Sequence, residues 1–135
     1  MSVEAIIRKL VAMQLALPNV RAAHEFAPES VAALPCFINY PVSGEFRLNT
    51  FGNCGTNDTH VIGCDYLVSR GNLVGAEKMA RPMIEAFKSA IIGDPSLGLA
   101  GVNALAQPIS YAYSVEKFGS QDVLIVGFLL TVEVF

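Results

Sequence analysis

Two histidines, His24 and His60, and three cysteines, Cys36, Cys54 and Cys64, are the side chains around which a base, a nucleophile or a soft-metal site would have to be built. His60 has the richest surroundings, with Cys54, Asp58, Cys64 and Asp65 all within six residues of it. Such a donor set could in principle hold zinc. On an extended strand, however, only His60 and Cys64 share a face, and two ligands on one strand do not close a tetrahedral shell. The cysteine spacing matches no common zinc or redox pattern, and an odd number leaves one thiol unpaired in any monomer, so free thiols are expected. A Cys–His nucleophile would need an electropositive, exposed thiol beside an oxyanion hole. Cys36, between Pro35 and Phe37, instead reads as a small core residue. The Gly52-Asn53-Cys54-Gly55 run has no lysine and no strand-to-helix setting, so it does not read as a phosphate cradle. Glu77, Glu85 and Glu116 suit solvated faces, and no carboxylate pair stands out as an acid–base couple. No catalytic, cofactor-binding or metal-binding residue is therefore expected.

The elements that would position these side chains can be read from periodicity. Ser2 suits an N-cap, and Val3, Ile6, Ile7, Leu10, Val11, Gln14 and Leu17 follow helical spacing, with Glu4 in the first turn. Pro18 ends that helix. Pro28 suits a first helical position, which predicts a short helical turn to about Leu34 before Pro35. Cys36 to Val42 reads as an edge strand bracketed by prolines. Ser43-Gly44 reads as a turn, and Glu45 to Phe51 as the second arm of a hairpin. Gly52 to Asp58 reads as a mobile loop. Thr59 to Arg70 is a strand with His60, Ile62, Cys64, Tyr66 and Val68 on one side. Leu73 to Ile92 carries an apolar face of Leu73, Ala76, Ala80, Met83, Ile84, Phe87 and Ile91. Pro82 in its middle implies either one kinked helix or two short ones, and the poor N-cap at Arg81 favours the kink. After a loop from Ser96, Ile109, Tyr111, Tyr113 and Val115 alternate with polar or small residues, and the tyrosine pair reads as sheet surface or interface.

The closing strand, Val123 to Phe135, is apolar on both faces and would extend roughly 44 Å. A domain of this length is only about 37 Å across. Strands in runs with helices between the runs predict an α+β fold, a mainly antiparallel sheet with two main helices on one face. The length of 135 residues is that of one domain spanning the chain. Hydrophobic residues make up 53% and charged residues 16%, which leaves little polar surface for a lone monomer and favours self-association. The expected contact positions lie on the closing strand, Phe128, Leu130 and Val132 on one face or Ile125 and Leu129 on the other. A net charge of −3 with scattered basic residues argues against a phosphate-gripping nucleic-acid module. The apolar run near the C-terminus is about half of what a spanning helix needs, and MSVEAIIRKL lacks a signal-peptide pattern, so synthesis and folding in a cytoplasm are expected.

One family has a similar order of elements. A strand following Ala33 to Pro35, a glycine-rich loop and a strand ending in Arg70-Gly71-Asn72-Leu73 precede a helix of the GAEKMARPMIEAF type. A GDPSLGLAG segment and two long strands follow. From Leu34 onward this resembles the tail terminator and minor tail proteins of lambda-like long-tailed bacteriophages. The resemblance implies a structural virion protein and no enzyme. It implies a homo-hexameric ring that caps the tail tube, stops its polymerisation and presents the surface for head joining. The implied partners are other copies of the chain, the tail tube protein and a head-completion or connector protein, with DNA passing through the lumen unbound. Assembly in the host cytoplasm and residence in the virion tail would follow. It also implies a loop that orders on assembly, for which Gly52, Asn53, Gly55, Asn57 and Asp58 are the matching residues. Neighbouring head–tail joining proteins share this size and pattern. The alternative reading is a small oligomeric α+β enzyme or ligand-binding protein with an inter-subunit pocket near His60 and Tyr66.

Overall fold

A computed structural model describes residues 3–29, 33–48, 56–71, 73–97, 104–118 and 120–134. The fold is α+β, with helix α1 (Val3–Leu15), strands β1 (Ala22–His24), β2 (Cys36–Leu48) and β3 (Thr56–Ser69), helix α2 (Leu73–Gly93), and strands β4 (Ala104–Phe118) and β5 (Gln121–Val134). One sheet has the order β1-β2-β3-β5-β4. β1 runs parallel to β2, and every other pairing is antiparallel.

Both helices lie on one side of this sheet. Ile6, Ile7 and Leu10 from α1 and Ala76, Ala80, Met83, Phe87 and Ile91 from α2 share a core with alternate residues of β3 and β5. Phe87 packs 4.7 Å from Phe128 and 5.2 Å from Phe37, centroid to centroid, and Phe37 packs 5.0 Å from Tyr66. The closing strand is apolar on both faces because it lies inside the sheet. Leu124 to Val134 alternate into the helix-side core, while Val123 and Ile125 join Cys36, Ile38 and Leu67 in a smaller cluster on the opposite face. The chain itself thus covers much of the strand that was expected to need a second subunit.

Polar groups fix the first helix to the sheet. Gln14 Nε2 donates to Asn39 Oδ1 at 2.7 Å, Asn39 Nδ2 donates to Gln14 Oε1 at 2.8 Å, and Asn39 Nδ2 also meets the His24 carbonyl at 3.1 Å. Each buried amide is therefore paired, as burial requires. α1 stops at Leu15, two residues before the expected end, and the Ala16 and Leu17 amides make tighter bonds to Met13 and Gln14. Asn19 takes a left-handed φ of 61°, a conformation asparagine tolerates, and its carbonyl accepts the Tyr66 hydroxyl at 2.7 Å.

Three local expectations need correction. No turn occurs at Ser43-Gly44, because β2 continues to Leu48 with a register shift between Pro41 and Ser43. A Cβ on Gly44 would stand 3.1 Å from His60 Nδ1, so this glycine permits close strand approach. Asn57 and Asp58 belong to β3, paired with Arg47 and Phe46, and are not loop; Gly52, Asn53 and Gly55 lie outside the described residues. Of the short helical turn expected from Pro28 to Leu34, residues 30–32 lie outside the described residues, and Pro28, Glu29, Ala33 and Leu34 are not helical. Pro82 sits within one helix, on its exposed side, where water can replace the missing backbone bond. Phe87 has no exposed surface and touches both β2 and β5. Phe87→Ala is expected to cost about 3–5 kcal/mol in a urea unfolding curve, and a cost below 1 kcal/mol would show that the core closes without it.

Candidate functional site

His60 lies in the core at 6% exposure, facing the same way as Ile62, Cys64, Tyr66 and Val68 as the alternation predicts. Its Nε2 is 4.0 Å from Asp58 Oδ2, beyond a hydrogen bond. Neither Nε2 of His60 nor Oδ1 of Asp58 has a partner among the described residues. Phe46 stacks edge-on against the imidazole at 6.3 Å. Burial pushes the Cys36 thiol up to about 11 and the Cys64 thiol higher still. Both stay protonated near neutral pH, so neither is poised as a nucleophile. Tyr66 is fully buried with its hydroxyl on the Asn19 carbonyl, and burial pushes that phenol up to about 12. His60 and Tyr66, the side chains named for the alternative inter-subunit pocket, are both buried within the single subunit. No group of three or more His, Cys, Asp or Glu side chains converges among the described residues. No helix among them is long and apolar enough to cross a membrane.

The expected contact positions on β5 also shift. Phe128, Leu130 and Val132 are buried in the helix-side core, so the intact fold does not offer them to a partner. Ile125 is buried in the opposite cluster, and Leu129 is half-buried beside Gly63. A charge at Phe128 therefore attacks folding before it can touch assembly.

Among the described residues, seven of the twelve large exposed apolar side chains lie at the two margins of the sheet; the others are Leu15 of α1, Phe26 after β1, and Leu73, Val74 and Ile92 of α2. On β4, Ile109, Tyr111, Tyr113 and Val115 are 56%, 55%, 40% and 47% exposed. Tyr111, Tyr113 and Val115 pair with Phe128, Val126 and Leu124 and so share the helix-bearing face. They border a groove against Ile84 of α2, with a volume of about 160 Å³ where it meets Ile109 and Tyr111. On β2, Tyr40, Val42 and Phe46 are 37%, 50% and 74% exposed. The sequence marked the tyrosine pair as surface or interface and β2 as an edge. Nothing in the sequence marks Phe46, which reads only as part of a hairpin arm.

The helix-free face is built for close approach. A Cβ on Gly63 would stand 2.4 Å from the Tyr40 ring, and one on Gly127 would stand 3.1 Å from Asp65 Oδ1. Tyr40 lies across Gly63 and donates its hydroxyl to Asp65 at 3.1 Å. Burial, then the Asp65 charge and hydrogen bond, push the Tyr40 phenol up to about 12. Burial also raises the Asp65 carboxyl from its ordinary value, the Tyr40 bond opposes this, and Glu116 adds to the rise. Compared with known proteins, the sequence matches no family model and no curated relative.

Two measurements probe this face. Gly63→Ala should lift Tyr40 away, bring its phenol back toward about 10 in an NMR titration, and cost about 1 kcal/mol for the lost bond. An unchanged phenol would mean that Tyr40 does not depend on Gly63. Because the folded state raises the Asp65 pKa, it holds the proton more tightly than the unfolded chain does. Its contribution favours folding at low pH and is lost as pH rises through the folded value. Asp65→Asn keeps an acceptor for Tyr40 and should melt higher than the parent at pH 7, with the gap closing as pH falls toward about 4. A lower melting temperature at pH 7 would contradict this.

Proposed function

We propose that this protein is a structural, non-enzymatic component of a phage virion that forms a closed ring at the end of a tail tube. The ring ends tube growth and offers the surface to which the head joins. The observation that carries this reading is the pair of apolar margins, β2 on one side of the sheet and β4 on the other. Unpaired strand edges seek another strand unless charge, proline, a bulge or a covering element blunts them; here Pro41, Pro108 and the two bulges blunt only part of each edge. Here four of the exposed side chains at the margins are aromatic. Two different margins on opposite sides of one subunit suit head-to-tail contacts, which close into rings when the rotation per subunit allows. The element order shared with tail terminators supplies the tube end as the place of assembly, with a hexamer as the expected size. The net charge of −3 suits a lumen through which DNA slides without being gripped. The tail tube protein and a head-completion or connector protein are the partners of the two ring surfaces.

Light scattering on the purified protein, with electron microscopy of its particles, tests the ring. A discrete ring, or a monomer that becomes one on tail tubes, is expected. Tyr111→Glu, at an exposed position, should leave the melting curve intact and weaken assembly by at least about tenfold. A strict monomer that ignores tail tubes would overturn the reading.

A further inference from the structure

We infer that neighbouring copies join by strand addition, the free edge of β2 in one subunit pairing antiparallel with the free edge of β4 in the next, so that Phe46 of one copy seats beside Tyr111 of the other. This rests on the ring reading and names the contact within it. The direction follows from the topology. β2 opposes β3, β3 opposes β5 and β5 opposes β4, so β2 and β4 run opposite ways in one subunit. Where the strands run along the ring axis, rotation leaves their direction unchanged, and β2 of one copy therefore meets β4 of the next in the antiparallel sense.

The available lengths also correspond. β1 pairs with β2 only from Cys36 to Ile38, and among the described residues no strand pairs with Asn39–Leu48 on that side. At the other margin the Pro95 carbonyl takes the Ala106 amide at 2.7 Å, and Pro108 has no amide to give, which leaves the edge from Ile109 onward. Laying Leu48 against Ile109, with Val42 bulged as it is in the subunit's own sheet, sets Arg47 opposite Ser110, Phe46 opposite Tyr111 and Gly44 opposite Tyr113. In this register Phe46 and Tyr111 both lie on the helix-bearing face, and Phe46 adjoins the groove between Ile84 and Ile109. Gly44 gives the Tyr113 ring room.

The size is sufficient. At roughly 200 Å² for a fully exposed aromatic side chain, Tyr40, Phe46, Tyr111 and Tyr113 together hold about 400 Å² of exposed surface. Val42, Ile109, Val115 and the two backbone edges bring the seam toward the ~1,000 Å² that a specific contact needs. A two-fold pairing of β4 with β4 would leave β2 open and Phe46 in water. Head-to-tail pairing occupies both margins of every subunit.

Disulfide trapping tests the seam, in a background where Cys54 is replaced by serine and Cys36 and Cys64 stay buried. Phe46→Cys mixed with Tyr111→Cys should give a covalent dimer on mild oxidation, and the double variant a ladder ending at the ring size. Arg47→Cys with Ser110→Cys, one residue along and on the other face, should do the same. Either variant alone should give no cross-link. Melting curves of each variant establish that it is folded. Rings that form without either cross-link would overturn the seam and leave the ring standing, and a cross-link from Tyr111→Cys alone would replace it with a two-fold contact. A chain that stays monomeric, with or without tail tubes, would overturn both.

Discussion

The contact between Phe87 and Phe128, 4.7 Å from ring to ring, is the point on which the subunit turns. Phe37 completes the group from β2, so one cluster joins the long helix to both halves of the sheet. Offset and tilted rings gain quadrupole attraction beyond the area they bury. Without this cluster α2 would have little reason to lie over the sheet, and β5 would have no reason to be central. The Gln14–Asn39 amide pair then sets where α1 sits, because a paired amide in a dry interior tolerates little displacement.

The long elements were legible because their side chains repeat with the geometry of the backbone. Val3 to Leu15 and Leu73 to Gly93 carry helical stripes, and β3 alternates so regularly that the buried face of His60, Ile62, Cys64, Tyr66 and Val68 can be read directly. One glycine defeated the local reading, and a second carries a contact that the sequence does not show. Gly44 looks like half of a turn, yet it lies in mid-strand because His60 crosses close to it. Gly63 interrupts a strand for the sake of a tyrosine that is distant in sequence. In both cases the cause is a neighbour brought by the fold, which no window of sequence contains. The same holds for β5, whose two apolar faces announce burial without saying what covers each.

The two faces of the sheet have different characters. The helix-bearing face is covered by α1 and α2, while the opposite face carries the smaller buried cluster of Ile38, Leu67, Val123 and Ile125 beside the Tyr40–Asp65 bond, Gly63, Gly127 and Ala112. Around Gly63 and Gly127 the lack of a side chain keeps that surface low. The sheet itself exposes its large apolar side chains at its two margins, β2 and β4, while further ones lie on the helices and after β1.

The irregularities on the two rim strands bear on shape. β2 loses register between Pro41 and Ser43, and β4 loses it between Pro108 and Ser110. A bulge adds a residue on one side of a ladder, bends the strand and increases its coil. A perfectly regular sheet extended rim to rim would continue as an endless ribbon, whereas strands bent at every junction accumulate curvature in one direction. Two extra residues, Val42 and Ile109, would then set how sharply the assembly bends and thereby decide whether it closes on itself or grows into a filament.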